Sequence, residues 1–247
     1  MKKIEIFLLL VIVFLALALR LYKINRPIAD WHSWRQADTA AVSRNFIKEG
    51  FNPLIPKFDD MSTQTNAIDN PNRYRFVEFP IYNLLVAGVW KITGINVTVA
   101  RLITVFITLG STILLYFLIK RFSGIKTALV TAFLFAALPY NVFYSSVILP
   151  VPFMVFCILA LYLSFVKWLE NHKSLVYLVL SIIFANLAIL SWPIALFFFL
   201  PLVYLSFQKY GTYFVKKPHL WIFAICSIMS FLAWRFYMTR YPEGIPS

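Results

Sequence analysis

The chain has 247 residues, of which 61% are hydrophobic, 18% aromatic and 13% charged, and its formal net charge is +13. A soluble domain of this length could not keep so large an apolar fraction away from water. The composition therefore excludes a soluble globular protein and indicates an integral membrane protein. The basic residues lie between apolar segments, where membrane topology accounts for them, and this placement argues against nucleic acid as a partner.

Seven apolar segments approach the roughly 20 residues that a helix needs to cross a bilayer. They cover residues 6–22, 102–119, 127–144, 147–166, 174–192, 193–207 and 218–238. The first is longer than the apolar part of a signal peptide and lacks a small-residue cleavage site, so we expect a membrane anchor. The sequence predicts an all-α polytopic transmembrane bundle that forms one domain over 1–247. The loop-like stretch from Arg240 onward is typical of a chain truncated at its C-terminus.

The segment from Phe79 to Thr93 is too short for an ordinary span and begins with a proline, which favours a re-entrant or interfacial helix. With that threading, the loops after the second, fourth and sixth spans face the side of the N-terminus. The opposite short loops, near 145 and 192, hold no basic residue. The loops on the N-terminal side hold eight: Lys120, Arg121, Lys126, Lys167, Lys173, Lys209, Lys216 and Lys217. The positive-inside rule then predicts a cytoplasmic N-terminus. We expect the protein in the plasma (inner) membrane.

This threading leaves one long external loop, residues 23–101, which contains most of the polar chemistry of the chain. Seven of the ten acidic residues lie in it: Asp30, Asp38, Glu49, Asp59, Asp60, Asp69 and Glu78. The spans have no charge at their centres, which argues against an ion pump or coupled transporter.

An amphipathic helix is predicted near the start of this loop. Asp30 precedes a run without glycine or proline that ends at Gly50, so we expect Asp30 as the N-cap and Gly50 as the C-terminal stop. Trp31, Arg35 and Asp38 are spaced to share one helix face. The aromatic residues of this helix suit the membrane interface: Trp31, Trp34 and Phe46.

Simple structural roles are alternatives for each polar residue of the helix. Asp30 could act as an N-cap alone, and Arg35 with Asp38 could form an ordinary ion pair between residues three apart. His32 could be an interfacial histidine without a ligand. These roles do not account for the density of ionisable groups at one membrane edge.

Carboxylates and arginines at a membrane edge suit the transfer of a sugar from a polyprenyl phosphate carrier. The acceptor hydroxyl needs a base, for which Asp38 comes first and Asp30 second. Arginine can hold the departing phosphate with paired hydrogen bonds. The candidates for binding the donor phosphate or substrate are Arg35, His32, Arg44, Arg73 and Arg75.

The stretches "ADTAAVSRNFIKEGF" and "YRFVEFPIYNLLVAGVWKITGINVTVARLITVF" resemble the GT-C polytopic glycosyltransferases, in glycosyltransferase family 39 with the protein O-mannosyltransferases and the aminoarabinose transferase of lipid A. The resemblance implies an external active site, a polyprenyl-phosphate-linked sugar donor among the membrane lipids, and an essential acidic residue in the first external loop. It adds Glu78, before the juxtamembrane helix, as a third candidate. A divalent metal and the oligomeric state are left open.

Two features depart from the family pattern. Aligning "TAAVSRNF" with the family helix places the family aspartate nearer to Arg35 than to Asp38. Relatives also tend to carry an acidic residue between two prolines in a stretch where this sequence has Val151. A catalytically degenerate member or a partner subunit that binds the carrier lipid is therefore the alternative to an inverting glycosyltransferase, and a lipid flippase or transporter comes third.

Overall fold

The structure, a computed structural model, describes residues 3–62 and 68–245, and this part of the chain is helical, without a strand. The only strand-like pairing within these ranges joins Lys57 to Tyr74. The α-helices are α1 (Lys3–Leu21), α2 (Ser33–Lys48), α3 (Ile81–Thr93), α4 (Val97–Ala137), α5 (Pro139–Tyr144), α6 (Val151–Glu170), α7 (Leu175–Ser191), α8 (Leu200–Tyr210) and α9 (Pro218–Met238). Short 3-10 helices cover Pro193–Phe199, Gly211–Lys216 and Pro242–Gly244. The prediction of an all-α polytopic fold is confirmed.

Five helical stretches within the described ranges are long and apolar enough to cross a membrane. They are α1, α4, α6, α9 and the stretch Pro193–Lys216, which contains α8. The helix α7 is as apolar but has 17 residues. The predicted number of seven spans therefore depends on how α4 and α7 are counted.

The long helix α4 consists of two arms that meet at Gly124, whose φ of 80° and ψ of 177° are open to glycine at little cost. Lys120, just before the bend, pairs with Glu5 at the start of α1. Ala136, in the second arm, accepts a 2.9 Å hydrogen bond from Arg20 at the end of α1. Because these contacts lie at opposite ends of α1, the second arm runs back beside the first. The arms contain most of two predicted spans, 102–119 and 127–144.

The segment predicted to lie at the interface forms the thirteen-residue helix α3. One face of α3 is buried against the bundle through Tyr82, Val86 and Trp90. The buried Asn83 side chain donates to the Thr39 carbonyl of α2 at 2.7 Å, which fixes the two loop helices against each other. The loop helices thus form a layer over one end of the bundle.

The end of α2 agrees with prediction, whereas its beginning does not. Gly50 has a φ of 111°, as expected after a helix C-terminus. The helix begins at Ser33, after His32 in a left-handed conformation with no side-chain cap. The prediction of Asp30 as the N-cap is therefore wrong. The prediction that Trp31 shares a helix face with Arg35 and Asp38 is also wrong, because Trp31 precedes the helix and is 72% exposed. Phe46 is buried rather than interfacial.

Candidate active site

Four charged side chains meet where α2 faces the segment before α3. One Arg35 guanidinium nitrogen, Nη2, donates to both carboxylate oxygens of Glu78, at 2.8 and 2.6 Å. Arg75 Nη2 lies 3.0 Å from Asp38 Oδ2. Both segments therefore carry an arginine followed three residues later by a carboxylate, and the ion pairs form between segments. The predicted pairing of Arg35 with Asp38 within one helix is replaced by these crossed pairs.

The backbone around this charged cluster is held on both sides. The Phe79 N–H donates to the Leu190 carbonyl near the end of α7 at 2.9 Å, directly after Glu78. On the α2 side, the Thr39 hydroxyl donates to the Arg35 carbonyl at 2.8 Å. Fixed backbone on either side keeps the four side chains in place before any substrate binds, which favours catalysis and binding alike.

A cavity of about 520 Å³ opens beside Arg35 between α2, α4, α5 and α6. The Arg35 guanidinium lies over the Trp192 ring, 5.5 Å from its centroid, and His32 contacts the Tyr144 ring at 5.9 Å. Most of the remaining lining is apolar, and it includes Val151. An apolar chamber with a cationic group at its edge can accept a lipid chain that ends in an anion.

Asp38 and Glu78 differ in how far their oxygens are already engaged. Both Glu78 oxygens accept from Arg35, and the Glu78 side chain is only 9% exposed. The Asp38 side chain is 24% exposed, with Arg75 as its ion-pair partner. Burial raises the pKa of Asp38 above its usual value, against the opposing effects of Arg75 and then Arg35. A carboxylate of raised basicity with an accessible oxygen suits proton acceptance better than one enclosed by a guanidinium.

Asp30 lies in a separate polar network. Its Oδ2 accepts from Arg26 Nε and its Oδ1 from Gln36 Nε2, each at 2.6 Å. Arg101 Nη2 is 3.8 Å from Oδ2, and the Arg101 guanidinium also donates to the carbonyls of Ile24, Arg26 and Pro27. Asp30 thus ties the connection after α1 to α2 and α4.

The structure does not bring Arg44 and Arg73 to the cavity. Arg44 pairs with Asp59, and this hydrogen bond lowers the pKa of the Asp59 carboxyl. Arg73 pairs with Glu49 at 2.7 Å and likewise lowers the pKa of that carboxyl. Both arginines hold the loop onto α2. Of the five predicted phosphate or substrate ligands, Arg35 and His32 line the cavity, and Arg75 lies in the charged cluster.

Several residues of the site were not predicted from the sequence. Trp192 and Tyr144, which face Arg35 and His32, occur among many interfacial aromatic residues, so no pattern sets them apart. The roles of Arg26 and Gln36 depend on the non-helical path before Ser33. The one available signal was the equal spacing of Arg35 with Asp38 and of Arg75 with Glu78. Among the described residues, no group of three or more histidine, cysteine, aspartate or glutamate side chains could hold a metal ion.

Residues 71–236 match the family described as dolichyl-phosphate-mannose-protein mannosyltransferase. The chain belongs to this family. The matched region includes Arg75, Glu78 and α3, and it begins after Arg35 and Asp38. The resemblance to GT-C glycosyltransferases is thereby confirmed.

The fold is similar to that of ArnT from Cupriavidus metallidurans, whose crystal structure has undecaprenyl phosphate bound. The TM-score is 0.65 over 98% of this chain, at 17% sequence identity, which shows a shared fold. The chain spans 42% of the length of that ArnT chain. No curated protein matches the sequence.

Proposed function

We propose that this GT-C family protein transfers a sugar from a polyprenyl phosphate carrier to a lipid, glycan or protein acceptor at the external membrane surface. The observation that carries the proposal is the position of Arg35, which lies at the edge of an apolar cavity and in a pre-formed charged cluster. The undecaprenyl phosphate bound to ArnT, a protein with the same fold, supports a carrier of this class.

In the proposed reaction, Asp38 takes the proton of an acceptor hydroxyl as the oxygen attacks the anomeric carbon. The bond between that carbon and the phosphate oxygen breaks, the bonding electrons leave with the polyprenyl phosphate, and the configuration inverts. Arg35 stabilises the charge that develops on the departing phosphate, with His32 beside it in the same cavity. Glu78 orients Arg35, and Arg75 holds Asp38 in its ionised form.

A transfer assay tests this assignment. Membranes that contain the protein receive polyprenyl-phosphate-linked sugars, and the release of polyprenyl phosphate is measured. Asp38→Asn should reduce release by at least about 100-fold, because general base catalysis contributes roughly that much. Asp59→Asn is the matched control, since Asp59 is another loop carboxylate paired with an arginine. Equal rates in Asp38→Asn and wild type would exclude Asp38 as the base.

One observation favours the second candidate, a degenerate member that binds the carrier without turnover. Val151 lines the cavity together with Arg35, at the position where the family tends to carry an acidic residue. Such a protein should bind undecaprenyl phosphate, and Arg35→Gln should weaken that binding. It should release no polyprenyl phosphate from any of the supplied sugar donors. If membranes with the wild-type protein release polyprenyl phosphate faster than membranes without it, the protein is an enzyme and the second candidate is excluded.

A further inference from the structure

A second group of cationic and aromatic side chains lies at the end of the bundle opposite to Arg35. The helix α6 leads away from the cavity, and α7 returns to Trp192, so the connection between α6 and α7 is at the far end. The helix α8 ends and α9 begins at that end too, because Met238, at the end of α9, packs with Phe76 on the charged-cluster side. Residues that are distant in sequence therefore meet there.

His219 is the centre of this group. Its ring centroid lies 5.8 Å from that of His172, 5.8 Å from that of Tyr210 and 5.5 Å from that of Trp168. Trp168 and His172 come from α6 and the connection after it, Tyr210 from α8 and His219 from α9. Three separate parts of the chain thus converge on one small area at the membrane surface.

Two lysines complete the group, Lys209 from the last turn of α8 and Lys217 directly before α9. Lys209 Nζ and Lys217 Nζ lie 5.3 and 5.2 Å from the centroid of the same ring, that of Tyr210. Two positive charges, those of Lys209 and Lys217, therefore lie around the ring of Tyr210, which itself contacts His219.

No carboxylate that the structure describes forms an ion pair with the two lysines. Within residues 3–62 and 68–245, neither lysine and neither histidine takes part in a salt bridge. The neighbouring acidic residue, Glu170, is paired with Arg121 instead. Unpaired basic groups at a membrane surface attract phosphate groups.

The floor of the group has polar atoms that lack partners. Trp168 Nε1, Tyr210 Oη and His219 Nε2 are buried and form no hydrogen bond with any residue that the structure describes. Trp168 is fully buried, whereas His172 and Lys209 at the rim are exposed. Buried donors without partners are unfavourable, and an anion that brings oxygen atoms into the group would relieve that cost.

An apolar groove adjoins the same residues. It has a volume of about 180 Å³ and lies between α6, α8, Gly211–Lys216 and α9, with Ser206 as the one polar side chain among its described lining residues. Trp168 connects group and groove, because its ring contacts Phe165 and Phe223, at 5.5 and 6.0 Å, and both of these line the groove. A ligand that occupies both the lysine and histidine group and the apolar groove needs a phosphate and a hydrocarbon chain.

We propose that this end of the protein binds an anionic glycerophospholipid of the cytoplasmic leaflet. The lipid phosphate lies among Lys209, Lys217, His172 and His219, and one acyl chain occupies the groove beside Phe223. A free phosphate shares the headgroup chemistry but makes no use of the groove. The site is separate from the proposed active site and holds lipid whether or not sugar transfer occurs.

The test measures the binding of dioctanoyl phosphatidylglycerol to the detergent-solubilised full chain by native mass spectrometry. The double variant Lys209→Gln with Lys217→Gln should weaken binding at least about tenfold, since each lysine near a phosphate contributes appreciably. The matched control is Lys173→Gln with Lys216→Gln, which removes the same charge from two exposed lysines at the same end of the bundle. Equal weakening in both double variants, or none in the first, would overturn the proposal.

A second arm separates a phospholipid from a free anion. Ala224→Phe narrows the groove without changing charge, so it should weaken phosphatidylglycerol binding about tenfold while the thermal unfolding midpoint stays near that of the wild type. Inorganic phosphate in large molar excess over the lipid should not displace the lipid. Displacement by inorganic phosphate, or unchanged binding in a folded Ala224→Phe variant, would contradict a lipid site.

Discussion

Arg35 and Glu78, 43 residues apart in the sequence, form an ion pair in which one guanidinium nitrogen donates to both carboxylate oxygens. Each side chain is 9% exposed, so water screens this pair little. The pair joins α2 to the segment before α3 and fixes the cation that faces the cavity. Asp38 and Arg75 form the second link between the same segments and leave the Asp38 carboxylate more accessible.

Removing one member of the buried pair should be costly. Glu78→Gln leaves the buried Arg35 charge without the carboxylate that accepts its hydrogen bonds, and we expect a loss of about 3 kcal/mol in the free energy of unfolding. The control is Glu170→Gln, whose partner Arg121 is 57% exposed, and there the loss should stay below about 1 kcal/mol. Denaturant titration in mild detergent measures both. Equal losses would show that the Arg35–Glu78 pair is not buried as described.

The pH dependence of sugar transfer should report on Asp38. Burial raises the pKa of this carboxyl and Arg75 opposes the increase. A base must be ionised, so transfer should fall as the pH drops through the raised pKa of Asp38. Arg75→Gln removes a charge that favours the ionised form, so the acidic limb of the pH–rate profile should move to higher pH.

The control for the pH experiment is Arg73→Gln. Arg73 pairs with Glu49, whereas Asp38 pairs with Arg75, so the acidic limb should stay in place. A limb that moves equally in both arginine variants, or that moves to lower pH in Arg75→Gln, would count against Asp38 as the titrating base.

Thiol labelling should distinguish the two ends of the bundle. Ala37 is exposed on α2 next to Asp38, and Lys173 is exposed between α6 and α7. In a background with Cys157 and Cys226 replaced by alanine, an impermeant maleimide should label Ala37→Cys in intact cells. Lys173→Cys should react only after permeabilisation. The reverse pattern would place the charged cluster in the cytoplasm and exclude transfer at the external surface.

Much of the fold could be predicted from apolar segments and charge placement. The all-α class, the short apolar helix that ends at residue 93 and the polar loop between the first helices need only patterns that recur locally. Gly50 marks the end of α2 because its positive φ has a clear sequence signal. The family resemblance depends on segments around α2 and α3 that the structure places together.

The parts that were predicted wrongly depend on side-chain contacts that the spacing of residues along one helix does not reveal. Asp30 failed as an N-cap because Arg26 and Gln36 engage its side chain before the helix begins. The crossed pairing of Arg35 and Asp38 with residues 75 and 78 needs the loop path, which the spacing within one helix does not reveal. The position of Val151 in the cavity could not be predicted either, because it depends on how α6 packs beside α2.

The binding of undecaprenyl phosphate tests the central assignment, a carrier phosphate at Arg35, most directly. Titration of the purified protein should give a dissociation constant that rises at least about tenfold in Arg35→Gln, because a charge-assisted contact to phosphate is lost. Arg121→Gln, at the far end of the bundle, should stay within about twofold of the wild type. Unchanged affinity in a folded Arg35→Gln variant would contradict the account.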